Sequence, residues 1–204
     1  FWDKNGDGEL SYKEAAAVTN LYIAFKDSSI LAFTELKYFT SLEKVGNSAF
    51  SGCSNLTSVT IPDSVTSIGE EAFYSCSSLT EVTIPDGITV IRNDVFHLCR
   101  SLASVTIPES VTDIESFAFY GCSDLTTITI PQNVINIGNH VFSYCYNLTA
   151  ITSPNKVVRI GDYVFNCCNN LATVNLGTGL ASIGSDAFNG CISLTSIHLP
   201  DGLD

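Results

Sequence analysis

The chain has 204 residues, 45% hydrophobic and 15% charged, so it holds enough apolar material for a sizeable core and is not an intrinsically disordered chain. Twenty-one acidic against nine basic residues leave a net charge of −12, which repels phosphate backbones and anionic headgroups and argues against nucleic-acid or membrane-surface binding. No run approaches the roughly 18 apolar residues of a spanning helix, so no membrane insertion is expected, and the lack of methionine even at position 1 reads as a processed product or an excised segment.

The first element is a polar loop, Asp3-Lys4-Asn5-Gly6-Asp7-Gly8-Glu9-Leu10-Ser11-Tyr12-Lys13-Glu14. It resembles the twelve-residue calcium loop of an EF-hand or dockerin-like segment. The resemblance implies side-chain oxygens from Asp3, Asn5 and Asp7, the carbonyl of Glu9, Ser11 at the ninth position and a bidentate carboxylate from Glu14, with Gly8 at the sharp turn. A bound Ca2+ would be structural, tying the start of the chain to the domain behind it. The alternative is a vestigial turn leading into a helix. That helix is expected from Ser11 to about Leu21 on alanine-rich propensity, and Phe33, Leu36 and Phe39 predict a second short helix over Ile30–Phe39. Residues 1–44 thus read as an N-terminal helical cap over the apolar end of the next domain.

From residue 45 the chain is one repeat of 23 residues. Cysteines stand at 53, 76, 99, 122, 145, 168 and 191 and phenylalanines at 50, 73, 96, 119, 142, 165 and 188, with leucine and valine/isoleucine columns in step, a proline column broken once by Gly177, and no insertion across seven copies. Within a copy, Ser58-Val59-Thr60-Ile61 alternates polar with apolar, the period of a strand with one buried face. Pro62 lacks an amide hydrogen and ends it. Val65 and Ile68 add inward side chains, and Ala72, Phe73 and Cys76 have the i, i+1, i+4 spacing of a short helical turn. Each copy makes one coil that buries its apolar positions only against its neighbours, stacked at roughly 4.8 Å. The resulting fold class is an α/β repeat solenoid with parallel short strands, covering residues 45–204 behind the cap. The last copy stops at Leu203-Asp204 without a polar capping repeat, so further repeats or another domain are expected beyond it.

The strand and the Ala-Phe-x-x-Cys corner at this period resemble the BspA-like subclass of leucine-rich repeats. The resemblance implies a right-handed, curved solenoid whose parallel strands line one face, an extracellular or cell-surface location, a bacterial outer surface above all, and adhesion to host or matrix macromolecules without catalysis. A protein or glycan partner and a monomer are the expectations.

The cysteine column reads as small buried hydrophobes rather than disulfides, because parallel Cβ vectors on stacked coils fit a 90° χ3 poorly and seven cannot pair without a remainder. Cys167 lies outside it and is the more reactive candidate. His97, His140 and His198 fall in three columns with no C-x-x-C pair, which speaks against zinc, and no cysteine has a histidine in step with it, which speaks against an enzyme. Outward strand positions such as Thr60, Thr83, Thr106, Thr129 and Thr152 are small and hydroxylic, without the large anchors of binding hot spots. The anchors lie at the corner. Tyr74, His97 and Tyr120 form one column and Phe117, His140 and Tyr163 another, with Tyr144 and Tyr146 close by, and this ridge is the candidate partner surface, whether for a protein or for a glycan. A ladder that merely shields the core is its bland alternative, and a purely architectural spacer is the corresponding reading of the whole chain.

Overall fold

A computed structural model of the protein describes residues 4–6, 9–201 and 203. The chain winds into a stack of about seven coils, and three separate columns of backbone hydrogen bonds join one coil to the next. The first column holds the strands expected from the alternating pattern: Ala32–Phe33, Ser58–Val59, Glu81–Thr83 and Ser104–Thr106 pair in parallel, and Ala150–Thr152 pairs in parallel with Thr173–Asn175. Register follows the repeat, with Val82 opposite Val105 and Ile151 opposite Val174. A second column was not apparent in the sequence. Two-residue strands at Val90–Ile91, Asp113–Ile114, Asn136–Ile137, Arg159–Ile160 and Ser182–Ile183 form a five-stranded parallel sheet, and Lys44–Val45 pairs with Ser67–Ile68 in the same phase.

The third column is the Ala-Phe-x-x-Cys corner, which is not helical. Alternate amides leave the coil: those of Glu71, Phe73 and Ser75 donate to the carbonyls of Asn93, Val95 and His97 on the next coil, while Tyr74 and Cys76 donate three residues back. This alternation needs a left-handed residue at every fourth position, and Glu71 and Ser75 have φ of 56° and 57°. Successive amides of an α-helix point the same way, so a helix cannot make these bonds. The spacing that suggested a helical turn is also the spacing of this succession of turns.

Inside, the columns stack as the period requires. The rings of Phe25, Phe50, Phe73, Phe96, Phe119, Phe142, Phe165 and Phe188 lie 5.1 to 5.6 Å apart with interplanar angles of 3° to 13°. The leucine column from Leu56 to Leu171 is fully buried beside them. All eight cysteines are free thiols. They are more than filler: Cys99 Sγ donates to the carbonyl of Phe73 at 3.1 Å, and the same bond, spanning 26 residues, recurs in each coil from Cys76 to Cys191 at 3.1 to 3.3 Å. Cys53 makes its counterpart to the Phe25 carbonyl at 2.9 Å, 28 residues back. Burial pushes the column's thiol pKa values up, Cys191 to about 11, which keeps them protonated and able to donate.

The N-terminal region departs from the expected pair of helices. Among the described residues only Tyr12–Ala16 is α-helical, started by a capping box in which Ser11 accepts from the amide of Glu14 and the Glu14 carboxylate accepts from the amide of Ser11. Ile30–Phe39 is a two-residue strand, Ala32–Phe33, followed by a 3-10 turn over Thr34–Tyr38. The stack also begins before residue 45. Asn20 bridges Lys44, the Ala32–Phe33 strand pairs with Ser58–Val59, and Phe25 stacks on Phe50. Residues 20–44 are therefore a first, irregular coil. Phe25 lies 25 rather than 23 residues before Phe50, so the regular repeat hides it.

Candidate functional site: an aromatic ridge on the corner face

The corner face positions the aromatic side chains. One left-handed position per coil recurs at Ser48, Glu71, Asp94, Phe117, His140, Tyr163 and Asp186, with φ of 53° to 61°. Asparagine, aspartate and histidine occupy such a position most readily, whereas a bulky β-branched or aromatic side chain there costs about 1 kcal/mol or more. In the fourth to sixth of these coils it holds Phe117, His140 and Tyr163, and Tyr144 (φ 62°) stands in the coil's other left-handed position, held elsewhere by Gly52, Ser75, Leu98, Gly121, Cys167 and Gly190.

All eight ridge residues expected from the columns come together. Tyr74, His97 and Tyr120 stack at 4.8 and 4.5 Å, and Phe117, His140 and Tyr163 stack at 4.7 and 4.8 Å. The two columns merge into one surface through Phe117 with Tyr120 at 5.8 Å, and Tyr120 runs on to Tyr144 at 5.1 Å and Tyr144 to Tyr146 at 6.0 Å. Tyr146 is 42% exposed and the other seven are half-buried. Each histidine is sandwiched between two aromatic neighbours, so its ring faces are covered from both sides.

Polar partners hold the ridge. His97 Nδ1 lies 2.6 Å from Asp94 Oδ1, and His140 Nδ1 lies 3.3 Å from the hydroxyl of Ser143, which donates to the carbonyl of Tyr163 at 2.5 Å. Burial lowers the pKa of His97, and the Asp94 carboxylate opposes that shift. The Tyr163 hydroxyl is held protonated by its hydrogen bond to Asp186, and burial, followed by the nearby Tyr144, raises Tyr120.

The other candidates form no such cluster. The strand face carries exposed threonines, with a shallow groove of about 300 Å3 over Thr127, Thr129, Ala150 and Thr152. Among the described residues no group of three or more His, Cys, Asp or Glu could hold a metal ion, and no helix is long and apolar enough to cross a membrane. Cys167 is half-buried at φ 59°. In the calcium-like loop Asp3 and Asp7 lie outside the described residues, and Asn5, Glu9 and Ser11 are exposed. Glu14 turns inward: its carboxylate accepts from the amides of Lys4 at 2.8 Å, Asn5 at 3.2 Å and Ser11 at 3.0 Å, and from the Ser11 hydroxyl at 2.6 Å. These bonds, the Ser11 hydroxyl first, hold its pKa down at about 2.

Comparison with known proteins agrees with this architecture. The model of the BspA type leucine-rich repeat region, present in six copies, matches residues 22–149 and 89–204. The leucine-rich repeat protein of T. pallidum is 34% identical over 76% of this chain and 72% of its own, with a TM-score of 0.71. A leucine-rich repeat protein from Bacteroides ovatus is 31% identical over 79% of this chain, which spans 48% of that protein, with a TM-score of 0.63. The pneumococcal vaccine antigen PcpA shares the fold at 22% identity, over 80% of this chain and 50% of its own, with a TM-score of 0.56. No curated protein matches the chain. The unbroken 23-residue period, the parallel coil stack and a family match from residue 22 to residue 204 together make this chain a member of the BspA-type leucine-rich repeat family.

Proposed function

We propose that the chain is a recognition module of a secreted or surface-exposed bacterial protein, and that it adheres to host or matrix proteins through the aromatic ridge. The observation that carries this reading is the merging of eight half-exposed rings into one surface, three of them, Phe117, Tyr144 and Tyr163, at left-handed positions that bulky side chains seldom occupy. Aromatic side chains supply contact area at small entropy cost, and tyrosine is enriched in interfaces. The threonine rows of the strand face offer no comparable anchors. A glycan is the weaker alternative, because sugars stack on open ring faces and the central rings here cover one another. The surface location rests on membership of the BspA-type family.

The loop from Asp3 to Glu14 is proposed to hold a structural Ca2+. Its support is the complete set of oxygen donors in the sequence, together with a helix that begins at Tyr12, where the exiting helix of such a loop starts. The Glu14 carboxylate, now occupied by loop amides, would exchange them for the metal.

The test of the adhesion reading is an array of matrix proteins and glycans, probed with the native chain and with Tyr74→Ala/Tyr120→Ala/Tyr163→Ala. Protein binding lost in the triple variant is the expected result. Uniform silence would make the chain a spacer, and binding that survives the triple variant but fails in Thr83→Trp/Thr106→Trp would move the site to the strand face.

A further inference from the structure

Resting on the ridge as the binding surface, we infer that its partner is an extended basic segment, with a cationic side chain at each end and apolar residues between. The left-handed column sets the order of chemistry along the solenoid axis: Glu71 and Asp94, then Phe117, His140 and Tyr163, then Asp186. The ridge is therefore an apolar strip with carboxylates at both ends. These carboxylates act on the rings themselves. Glu71 and Asp94 both stabilise the charged form of His97, and Asp186 accepts from Tyr163. Nearby cations do not cancel them, since Arg92 faces Glu115 at 3.7 Å and Arg159 faces Asp162 at 3.5 Å. The net charge of −12 adds a long-range pull on the same class of partner.

Dimensions set the length of the segment. From Glu71 to Asp186 is five coil steps of roughly 4.8 Å, or about 24 Å. An extended peptide advances about 3.4 Å per residue, so a heptapeptide sets its first and last residues about 20 Å apart on one face, and the reach of their long side chains covers the remaining few ångströms. Arginine suits both ends, because its planar fork pairs with carboxylates and packs against aromatic rings.

The probe is a capped heptapeptide with arginine first and last, leucine third and fifth and glycine elsewhere, titrated by calorimetry at 50 mM and 500 mM salt. Controls are the same peptide with glutamate at both ends and a scramble with the two arginines adjacent. The expected result is binding of the arginine-ended peptide, at least tenfold weaker binding of both controls, and loss at high salt. Glu71→Asn and Asp186→Asn, which keep a residue that tolerates left-handed φ, should each weaken it about fivefold. The proposal is overturned if the glutamate-ended peptide or the scramble binds as well. It is also overturned if Tyr74→Ala/Tyr120→Ala/Tyr163→Ala, which keeps the net charge, binds the peptide undiminished, since the attraction is then only Coulombic. Silence with all three peptides, while an arrayed protein still binds through the ridge, removes the basic-segment inference and leaves the adhesion reading standing. Silence on the array as well removes both.

Discussion

Truncating one ring in the middle of the phenylalanine column tests the stacked-coil account most directly. Phe96 is fully buried, and its ring lies 5.4 Å from both Phe73 and Phe119 at 8° and 13°. Phe96→Ala loses the transfer free energy of the ring and leaves a cavity between two coils, about 4 kcal/mol. Breaking two stacking contacts places the loss at the upper end for a buried phenylalanine, about 5 kcal/mol in all. In a chain of this length each kcal/mol moves the melting temperature by about 2–4 °C, so a fall of about 10–20 °C is expected. Phe188 gives the contrast. It is half-buried and stacks on one described neighbour, Phe165 at 5.3 Å, so Phe188→Ala should cost about 3 kcal/mol. Stability in a solenoid is a sum of coil and nearest-neighbour terms, so the central change should also broaden the transition as the two halves uncouple, while the terminal one should only fray the end. Differential scanning calorimetry on both variants measures size and shape together. Equal losses at the two sites, or a loss below about 2 kcal/mol at Phe96, would refute the nearest-neighbour stack.

Local geometry sets the remaining expected outcomes. The Phe73 carbonyl accepts from the Cys76 amide and from the Cys99 thiol, each at 3.1 Å, so Cys99→Val, which fills the space but cannot donate, should lose about 1–2 kcal/mol in denaturant titration, whereas a neutral result would return the cysteine column to mere packing. Burial holds His97 below 6.5, so the neutral ring is favoured in the fold: this contribution to stability is complete above pH 6.5 and is lost as pH falls through the lower folded value. Asp94→Asn removes the opposing carboxylate and should lower the His97 midpoint further, and an imidazole NMR titration that moves upward instead contradicts the assignment. Glu14 is depressed from 4.5 to about 2, so its loop contacts are complete above pH 4.5 and lost as pH falls through about 2, visible as a low carboxyl 13C midpoint. Ca2+ at neutral pH should change the emission of the single tryptophan, Trp2, next to the loop in sequence, and Glu14→Gln should abolish the change; no response in the native chain would make the loop a simple turn.

By itself the sequence determined the parts of this protein that depend on its period. Apolar positions 23 apart must lie over one another if each is to leave water, so the columns of Phe73, Cys76, Leu79 and Val82 dictated a stack of coils with a single continuous core, and the parallel strand register came with it. The same columns placed Tyr74 above His97 and Phe117 above His140. Tertiary structure decided what depends on bonds between coils. Ala72, Phe73 and Cys76 have one spacing in a helix and in a succession of turns, and the choice falls to turns because Glu71, Phe73 and Ser75 give their amides to residues 22 positions on. The strand at Ser67–Ile68 exists only through its pairing with Lys44–Val45, and two residues of alternation cannot announce it. Phe25 joins the phenylalanine stack from a coil out of step with the repeat, and the thiol of Cys99 finds a carbonyl 26 residues back, a distance that no local pattern encodes. The ridge belongs to both accounts: sequence columns supplied two short ladders, and the packing of Phe117 against Tyr120, across columns three residues apart, made them one surface.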